Sequence, residues 1–235
     1  MINVFIDTNV LTSNFISNSA GFSALTSLAS EDLIQLHISS IVEKEFLSQL
    51  IKQEKDKFND VKSALNKLKR SHFVSDSSDS FFKNSLSDLN KIEKSILRKI
   101  NDRLSSWIRS SNVQIHNIKK DHADRVFEKY FGGIKPFSSI KNRSDIPDAF
   151  IFEAIVDLYR AKGKLHVICN DNNLRECIFQ NSAILTHESL DTFIKSKSCQ
   201  DLLLEQQVLL HLEDIIFNLK ENENKLQKVI RKEYI

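Results

Sequence analysis

Val4-Phe5-Ile6-Asp7-Thr8-Asn9-Val10-Leu11 decides how the rest of the chain is read. With Ile2, the residues before Asp7 form a short, β-branched apolar run interrupted only by Asn3. Such a run is the pattern of a strand buried on both faces of a parallel sheet. Asp7 then falls at the carboxyl end of a central strand, where open α/β sheets bind their ligands. An ionised carboxylate is costly to bury alone, so it calls for a cation or a hydrogen-bond donor. Thr8 and Asn9 can each hydrogen-bond a carboxylate or a water. The plainer reading is a strand followed by an Asx-type turn, and this stretch alone does not separate the two.

Residues 19–29 have helical spacing, and Leu33–Ile38 reads as a second strand. Ser39 or Ser40 then caps a helix carrying Ile41, Val42, Glu45, Phe46 and Leu50. A β-α-β-α opening is the signature of a parallel sheet. Glu45 lies about one turn into its helix and reaches the crevice of Asp7 if the two strands are neighbours. Residues 51–70 and 81–110 read as long helices separated by a Ser/Asp-rich break over residues 71–80. A shorter helix over residues 121–131 ends at Gly132-Gly133. From Asp145 the α/β pattern returns. Pro147 and Asp148 open a helix, since proline suits an early helical position and acids suit a helix N-terminus. Leu165–Cys169 is a strand with Asn170-Asp171-Asn172-Asn173 at its carboxyl end. A short helix, a strand over residues 183–185 and a helix over residues 190–194 follow. Residues 201–232 read as one long helix with too many apolar positions for a single narrow stripe. It is expected to pack on its own chain ahead of a second subunit.

The chain has 235 residues, 41% hydrophobic and 27% charged, enough for a sizeable core and not the balance of a disordered polymer. Its scarcity of Gly (4) and Pro (2) favours long helices over a turn-rich β fold. No apolar run has the length of a membrane span, and Asp7 interrupts what would otherwise be the apolar region of a signal peptide. Cys169, Cys177 and Cys199 have no zinc-like spacing, and so few cysteines fit a reducing, cytoplasmic setting. No Rossmann or P-loop glycine pattern is present. Residues 50–143 carry 21 Lys and Arg against 11 Asp and Glu, whereas the remainder carries 12 against 20. A basic middle between acidic flanks suits a chain that holds a polyanion in one part and gathers carboxylates in another; a solvated lysine-rich helical face is the plainer alternative.

Asp7 and Asp171 each follow a strand, and Glu45 and Asp148 each lie near the start of a helix. All four can meet at one edge of a parallel sheet, where uncompensated carboxylates would repel and take up protons. A divalent cation resolves that conflict. Oxygen-only ligands select Mg²⁺ or Mn²⁺ over zinc. Such ions stay hydrated and take substrate phosphates as further ligands, which is the chemistry of metal-assisted phosphodiester hydrolysis.

On these residues the sequence resembles the PIN-domain nucleases. Phe5-Ile6-Asp7-Thr8-Asn9-Val10-Leu11 looks like their opening motif, and Val42-Glu43-Lys44-Glu45-Phe46 like the second, with Glu45 at the acidic position. Asp145-Ile146-Pro147-Asp148-Ala149 looks like the third, with Asp148 as the acid and Asp145 as an auxiliary. Val167-Ile168-Cys169-Asn170-Asp171-Asn172-Asn173-Leu174 looks like the fourth, with Asp171 as the acid and Asn170 where the family often has Ser or Thr; Asn9 and Asn173 complete the auxiliary set. The resemblance implies a three-layer α/β/α sandwich with a central parallel sheet. It also implies an Mg²⁺- or Mn²⁺-dependent endoribonuclease, a class that includes bacterial toxins and anti-phage defence effectors. Residues 1–50 and 140–198 are then the nuclease core, 51–139 a basic helical insertion like that of larger bacterial PIN-like proteins, and 199–235 a C-terminal helical extension.

Lys119, Lys120, Lys135, Lys141 and Arg143 precede the third acid closely and are candidates for holding RNA phosphates. Phe131, Phe137 and Trp107 are candidates for stacking bases, with ordinary core as the alternative, favoured for Trp107. His37, His166 and His187 are read as structural, and Cys169 as a buried strand residue. Two competing readings stay open: a DNA or structure-specific nuclease with the same acids, and a non-catalytic RNA- or protein-binding module. Expected partners are an RNA substrate, an inhibitory or activating protein that covers the acid crevice, and a second copy joined through the C-terminal helix.

Overall fold

A computed structural model describes residues 1–71, 78–179 and 184–233 of the chain. Residues 72–77 of the Ser/Asp-rich break and Ala183 of the expected last strand lie outside the described residues. Met1–Leu190 forms one compact unit and Asp191–Ile235 a second.

The first unit is built on five parallel strands: β1 (Ile2–Ile6), β2 (Ile34–Ser39), β3 (Gln114–His116), β4 (Leu165–Ile168) and β5 (Ile184–His187). Their order in the sheet is β3-β2-β1-β4-β5. β1 is the middle strand, buried from Val4 to Ile6 as its apolar run demands. The chain moves outward on one side through β2 and β3, then crosses to the other side of β1 with β4. The strand order therefore reverses between β1 and β4, and the carboxyl ends of those two strands flank the crevice where such sheets bind ligands.

Helices fill the connections. α1 (Thr8–Phe15) starts directly at the end of β1, with Asp7 as its N-cap and the Asp7 carbonyl accepting from Leu11 N at 3.1 Å. α2 (Ala20–Ser30) and α3 (Ser40–Lys69) pack on β2. Ser39 ends β2 and caps α3, its hydroxyl accepting from Val42 N at 3.1 Å. α4 (Asp79–Ser110) pairs with α3 as a long hairpin. The buried residues of α3 are Ser40, Val42, Phe46 and Leu50, so only its first part belongs to the core. Farther out, ion pairs such as Lys62–Glu93 at 2.5 Å use some of the basic surplus within the hairpin itself. Trp107 of α4 is buried against Phe15 and Phe22, and Phe15 also meets Phe46 edge-on at 5.1 Å. This aromatic knot ties α1, α2, α3 and α4 together and places Trp107 in the core.

β3 is an addition to the expected architecture: the stretch between the helices expected over 81–110 and 121–131, for which no element is expected, contributes a strand to the sheet edge. α5 (Lys120–Gly132) follows it and ends at Gly133, whose φ of 64° is the left-handed cap that glycine adopts without strain. A Cβ there would also meet Ile140 Cγ1 at 2.6 Å. α6 (Ile146–Lys162) opens with Pro147 in its first turn. Val126, Tyr130 and Phe137 pack on Ala149, with Ile146 and Phe150 against them, so α5 and the loop after it are anchored on the start of α6. Phe137 is thereby a core residue. α7 (Asn172–Phe179) connects β4 to β5.

Imidazole pairs brace both halves of the sheet. His37 Nδ1 lies 2.9 Å from His116 Nε2, and His166 Nδ1 lies 3.0 Å from His187 Nε2. Burial, then the neighbouring His116 and Lys162, push His37 down to about 3; burial, His187 and Lys164 push His166 down to about 4. Both rings are neutral near pH 7 and serve as hydrogen-bonding core residues.

Apart from its first residue, α8 (Leu190–Ile194) belongs to the second unit with the 37-residue α9 (Lys197–Glu233), and the Gln200 side chain joins the two by donating to Ile194 O at 2.7 Å. Along α9, Leu204, Val208, Leu212, Ile215 and Leu219 are exposed. Among the described residues, no helix is long and apolar enough to cross a membrane.

Ser39→Ala removes a buried cap and is expected to lower stability by about 1 kcal/mol. A shift in the urea midpoint without a change in slope checks this.

Candidate functional site

The four acids come from four separate elements. Asp7 stands at the end of β1, Asp171 follows β4, Glu45 lies in the second turn of α3 and Asp148 in the first turn of α6. Asp7 is only 2% exposed. Burial is the largest influence on it, and with the charges of Glu45 and Asp171 it pushes the pKa up to about 6, against the lowering pull of the Thr8 N–H and the Cys169 thiol. Asp148 is half-buried and is pushed up to about 7, first by burial and then by the negative charges of Asp7, Asp171 and Glu45. Side chains 3 to 164 residues apart along the chain, counted from Asp145 to Asp148 and from Asp7 to Asp171, thus act on one another through a common field at the switch point. No Lys or Arg forms an ion pair with any of these four acids among the described residues.

Glu45, Asp171 and Asp7 are each held by their own surroundings. Thr8 Oγ1 donates to Glu45 Oε2 at 2.8 Å, tying the first residue of α1 to α3. One turn on, Thr12 Oγ1 donates to Gln49 Oε1 at 3.0 Å and repeats the link. Leu174 N donates to Asp171 Oδ1 at 2.7 Å, so Asp171 also caps the start of α7. Cys169 Sγ approaches Asp7 Oδ2 at 3.5 Å. Burial, followed by the Asp7 charge, raises the Cys169 thiol far above its ordinary value, so it is a neutral, weak donor and not a nucleophile. Thr8, whose hydroxyl the sequence offers to a carboxylate, finds Glu45, and Cys169, expected only as a buried strand residue, also stands at the site. Thr8 was legible, because it adjoins Asp7 and carries a hydroxyl; the Cys169 contact depends on β4 lying beside β1.

The auxiliary candidates divide. Asp145 accepts from Ser138 N at 2.7 Å, Ser138 Oγ at 2.8 Å, Asn142 Nδ2 at 3.0 Å and, through its other oxygen, Ser144 Oγ at 3.0 Å. Partial burial raises its pKa, but these hydrogen bonds outweigh it and hold the carboxyl below its ordinary value. Asp145 fixes the loop before α6 and touches Asp148 only through a smaller repulsion. Asn9, Asn170 and Asn173 are exposed.

The basic candidates divide as well. Lys119 pairs with Asp157 at 2.6 Å, and Lys135 pairs with Glu176 on α7. Lys120, Lys141 and Arg143 are exposed and form no ion pair among the described residues. Lys141 has a φ of 59°, an uncommon backbone for a residue with a side chain. Its Nζ lies 5.8 Å from the centre of the Phe131 ring, and Phe131 is 60% exposed.

Among the described residues, no three His, Cys, Asp or Glu side chains stand close enough to cage a metal ion. The acids share a field rather than a preformed cage. Their chemistry still fits a hard divalent cation: the donors are all oxygen, their mutual charge is uncompensated, and an Mg²⁺-like ion is usually held through one or two carboxylates with its waters retained.

A parallel α/β sheet with carboxylates gathered at its switch point belongs to the class of α/β domains that act on a bound ligand at the strand ends. Residues 4–174 match the family model described as PIN domain, and the chain belongs to that family. PIN domains are generally nucleases and typically use divalent metals. Comparison with curated proteins and with solved structures finds no match.

Because the folded state holds the Asp7 proton up to about pH 6 and the unfolded state releases it near 3.8, stability falls as pH rises through that window. Asp7→Asn escapes this cost. Without divalent ions it is expected to stabilise the protein by roughly 1–3 kcal/mol at about pH 8 and by little at about pH 4. Urea unfolding at the two pH values checks the sign. Mg²⁺ or Mn²⁺ at the higher pH is expected to stabilise the parent chain more than the variant.

Proposed function

We propose that the protein is an endoribonuclease that hydrolyses RNA phosphodiester bonds with Mg²⁺ or Mn²⁺ held by Asp7, Asp148, Asp171 and Glu45. The observation that carries this reading is the mutual repulsion of those acids: Asp148 is pushed up to about 7 by its burial and by the charges of the other three. Nothing in the fold's own stability calls for such an arrangement, whereas a cation and a phosphate would use it.

Bound divalent ions supply an activated water and neutralise charge on the phosphate and the leaving oxygen. The residues of the chain do the positioning. Asp7, buried and fixed by the end of β1, is the inner anchor. Thr8 holds the Glu45 carboxylate toward the crevice, with its other oxygen free of Thr8. Asp171 keeps one oxygen on Leu174 N and offers the second. Asp148, with a pKa near neutrality, can hold or release a proton in the working pH range.

A single-stranded nucleic acid is favoured over other polyanions by the surface beside α6, and the choice of RNA comes from the family resemblance. The loop before α6 carries Lys141 and Arg143 without ion-pair partners among the described residues, and Phe131 is exposed beneath Lys141. Cations that fix phosphates, next to a ring on which an unpaired base can stack, suit a single strand. A role as a toxin or anti-phage effector, restrained or activated by a protein that covers the crevice, belongs to this proposal through the family resemblance.

Asp7→Asn and Asp171→Asn are each expected to abolish cleavage of labelled RNA in Mg²⁺ or Mn²⁺ while leaving circular dichroism unchanged. Full cleavage by both purified variants would remove these residues from the mechanism, and equal or better cleavage of DNA would replace the ribonuclease with a DNA nuclease. Lys141→Ala and Arg143→Ala are expected to weaken single-strand binding about equally for all sequences. Each should lower the slope of log affinity against log salt by roughly 0.7; an unchanged slope in both would place the phosphate path elsewhere.

A further inference from the structure

We propose that the cleft between α7 and β5 is a base-reading subsite, which takes the nucleobase flanking the scissile phosphate and gives the enzyme a sequence preference at that position. This rests on the nuclease reading above. The cleft has a volume of about 300 Å³ and is lined by Asn172, Arg175, Glu176, Phe179, Thr186 and Glu188. It adjoins the acids, because Asn172 follows Asp171 directly and Thr186 is on β5, paired with Val167 of β4. The cleft therefore starts beside Asp171 and runs along one face of α7 from Asn172 to Phe179 at the other end of that helix.

Its size and chemistry select the occupant. Its volume is at the lower end of small-molecule pockets, roughly 300–1,000 Å³, enough for a base and little more. Phe179 is 76% exposed at the end of α7, a free aromatic surface for a flat ring. The polar groups include both donors and acceptors: the Asn172 amide, the Thr186 hydroxyl, the Arg175 guanidinium and the carboxylates of Glu176 and Glu188. Arg175 Nη1 pairs with Glu188 Oε1 at 2.8 Å, and Arg175 also donates to Asn172, so these edge-reading groups are held in place by one another. Each carboxylate is already paired, Glu188 with Arg175 and Glu176 with Lys135, so the cleft has no cationic surplus to hold a phosphate, while carboxylate lone pairs remain to accept hydrogen bonds from base amines. The charge of the cleft thus separates it from Lys141 and Arg143, whose loop is suited to the backbone. Glu176 also pairs with Lys135, which joins α7 to that same basic loop.

The test uses the full-length protein with a single-stranded RNA pool randomised over the cleaved region, and sequencing of the cut ends. The parent chain is expected to show a skew at one nucleotide flanking the cut. Phe179→Ala, an exposed position whose loss leaves the core intact, should flatten that skew and raise KM roughly 10-fold with little change in kcat. Glu188→Gln should change which base is preferred. A parent chain without flanking preference, or a skew unchanged in both variants, would overturn the subsite.

A second measurement needs no catalysis: the ¹⁵N-labelled chain is titrated with each of the four nucleoside monophosphates. Amide shifts at Asn172, Arg175 and Thr186 that differ among bases and vanish in Phe179→Ala support the proposal. Absence of shifts at those residues with every nucleotide overturns it. Loss of all RNA and DNA cleavage in the parent chain would sink the nuclease reading, and the titration would still decide the cleft.

Discussion

A carboxylate buried at the end of the central strand, with like charges around it, is the constraint on which the rest of this structure turns. Asp7 is almost fully inaccessible, and among the described residues no basic side chain pairs with it. Its neighbours supply only partial relief, through one backbone N–H and a neutral thiol. A protein that needed only to fold would place an apolar residue or a paired charge there. The same strain recurs at Asp148, where four further acids contribute, Asp145 the least. Perturbed acids gathered in a crevice mark a functional site with a stated physical cause.

The architecture delivers those acids through short-range devices. The parallel order puts the ends of β1 and β4 side by side, which brings Asp7 and Asp171 together. Ser39 fixes where α3 begins, and the helical repeat then sets the direction of Glu45, which Thr8 holds from the neighbouring α1. Pro147 starts α6 so that Asp148 falls in its first turn. The cluster of Val126, Tyr130, Phe137 and Ala149 seats the basic loop on the same helix. No single contact here is strong. Their joint effect is to fix the relative positions of groups that repel one another.

Much of this was legible in the residues, because buried parallel strands and capped helices leave local signals. The apolar run before Asp7, the serine before α3 and the Pro147-Asp148 pair each mark an element and a candidate acid at once. What escaped the sequence was short or non-local. α1 follows its strand without a linker, and the Val10, Leu11 and Phe15 spacing that buries it was absorbed into the reading of a turn. β3 has three residues, too few for an alternation to register, and exists because β2 offers an edge. The fates of the lysines were equally hidden: Lys119 meets Asp157 and Lys135 meets Glu176 across 38 and 41 residues. Trp107 and Phe131 have the same sequence character as exposed helical aromatics, yet one is buried under Phe15 and Phe22 and the other faces solvent. Only packing separates them.

The cost of the acid crevice must be offset away from it, since a marginally stable chain has little to spare. The aromatic contacts of Phe15, Phe22, Phe46 and Trp107 are placed to do this. Phe15 ends the helix that begins at Asp7, and Phe46 is the residue after Glu45. The elements that carry Asp7 and Glu45 are thus clamped within one helical length of those charges. α4 enters the same argument. Its outer part adds charged surface, but Trp107 and the guanidinium of Arg103, which donates to Phe15 O at 2.9 Å, close the end of α1. The helical hairpin is therefore not a module hung on a finished nuclease core. Its base is part of the packing that lets the core keep a repulsive site intact, just as β3 completes the sheet edge.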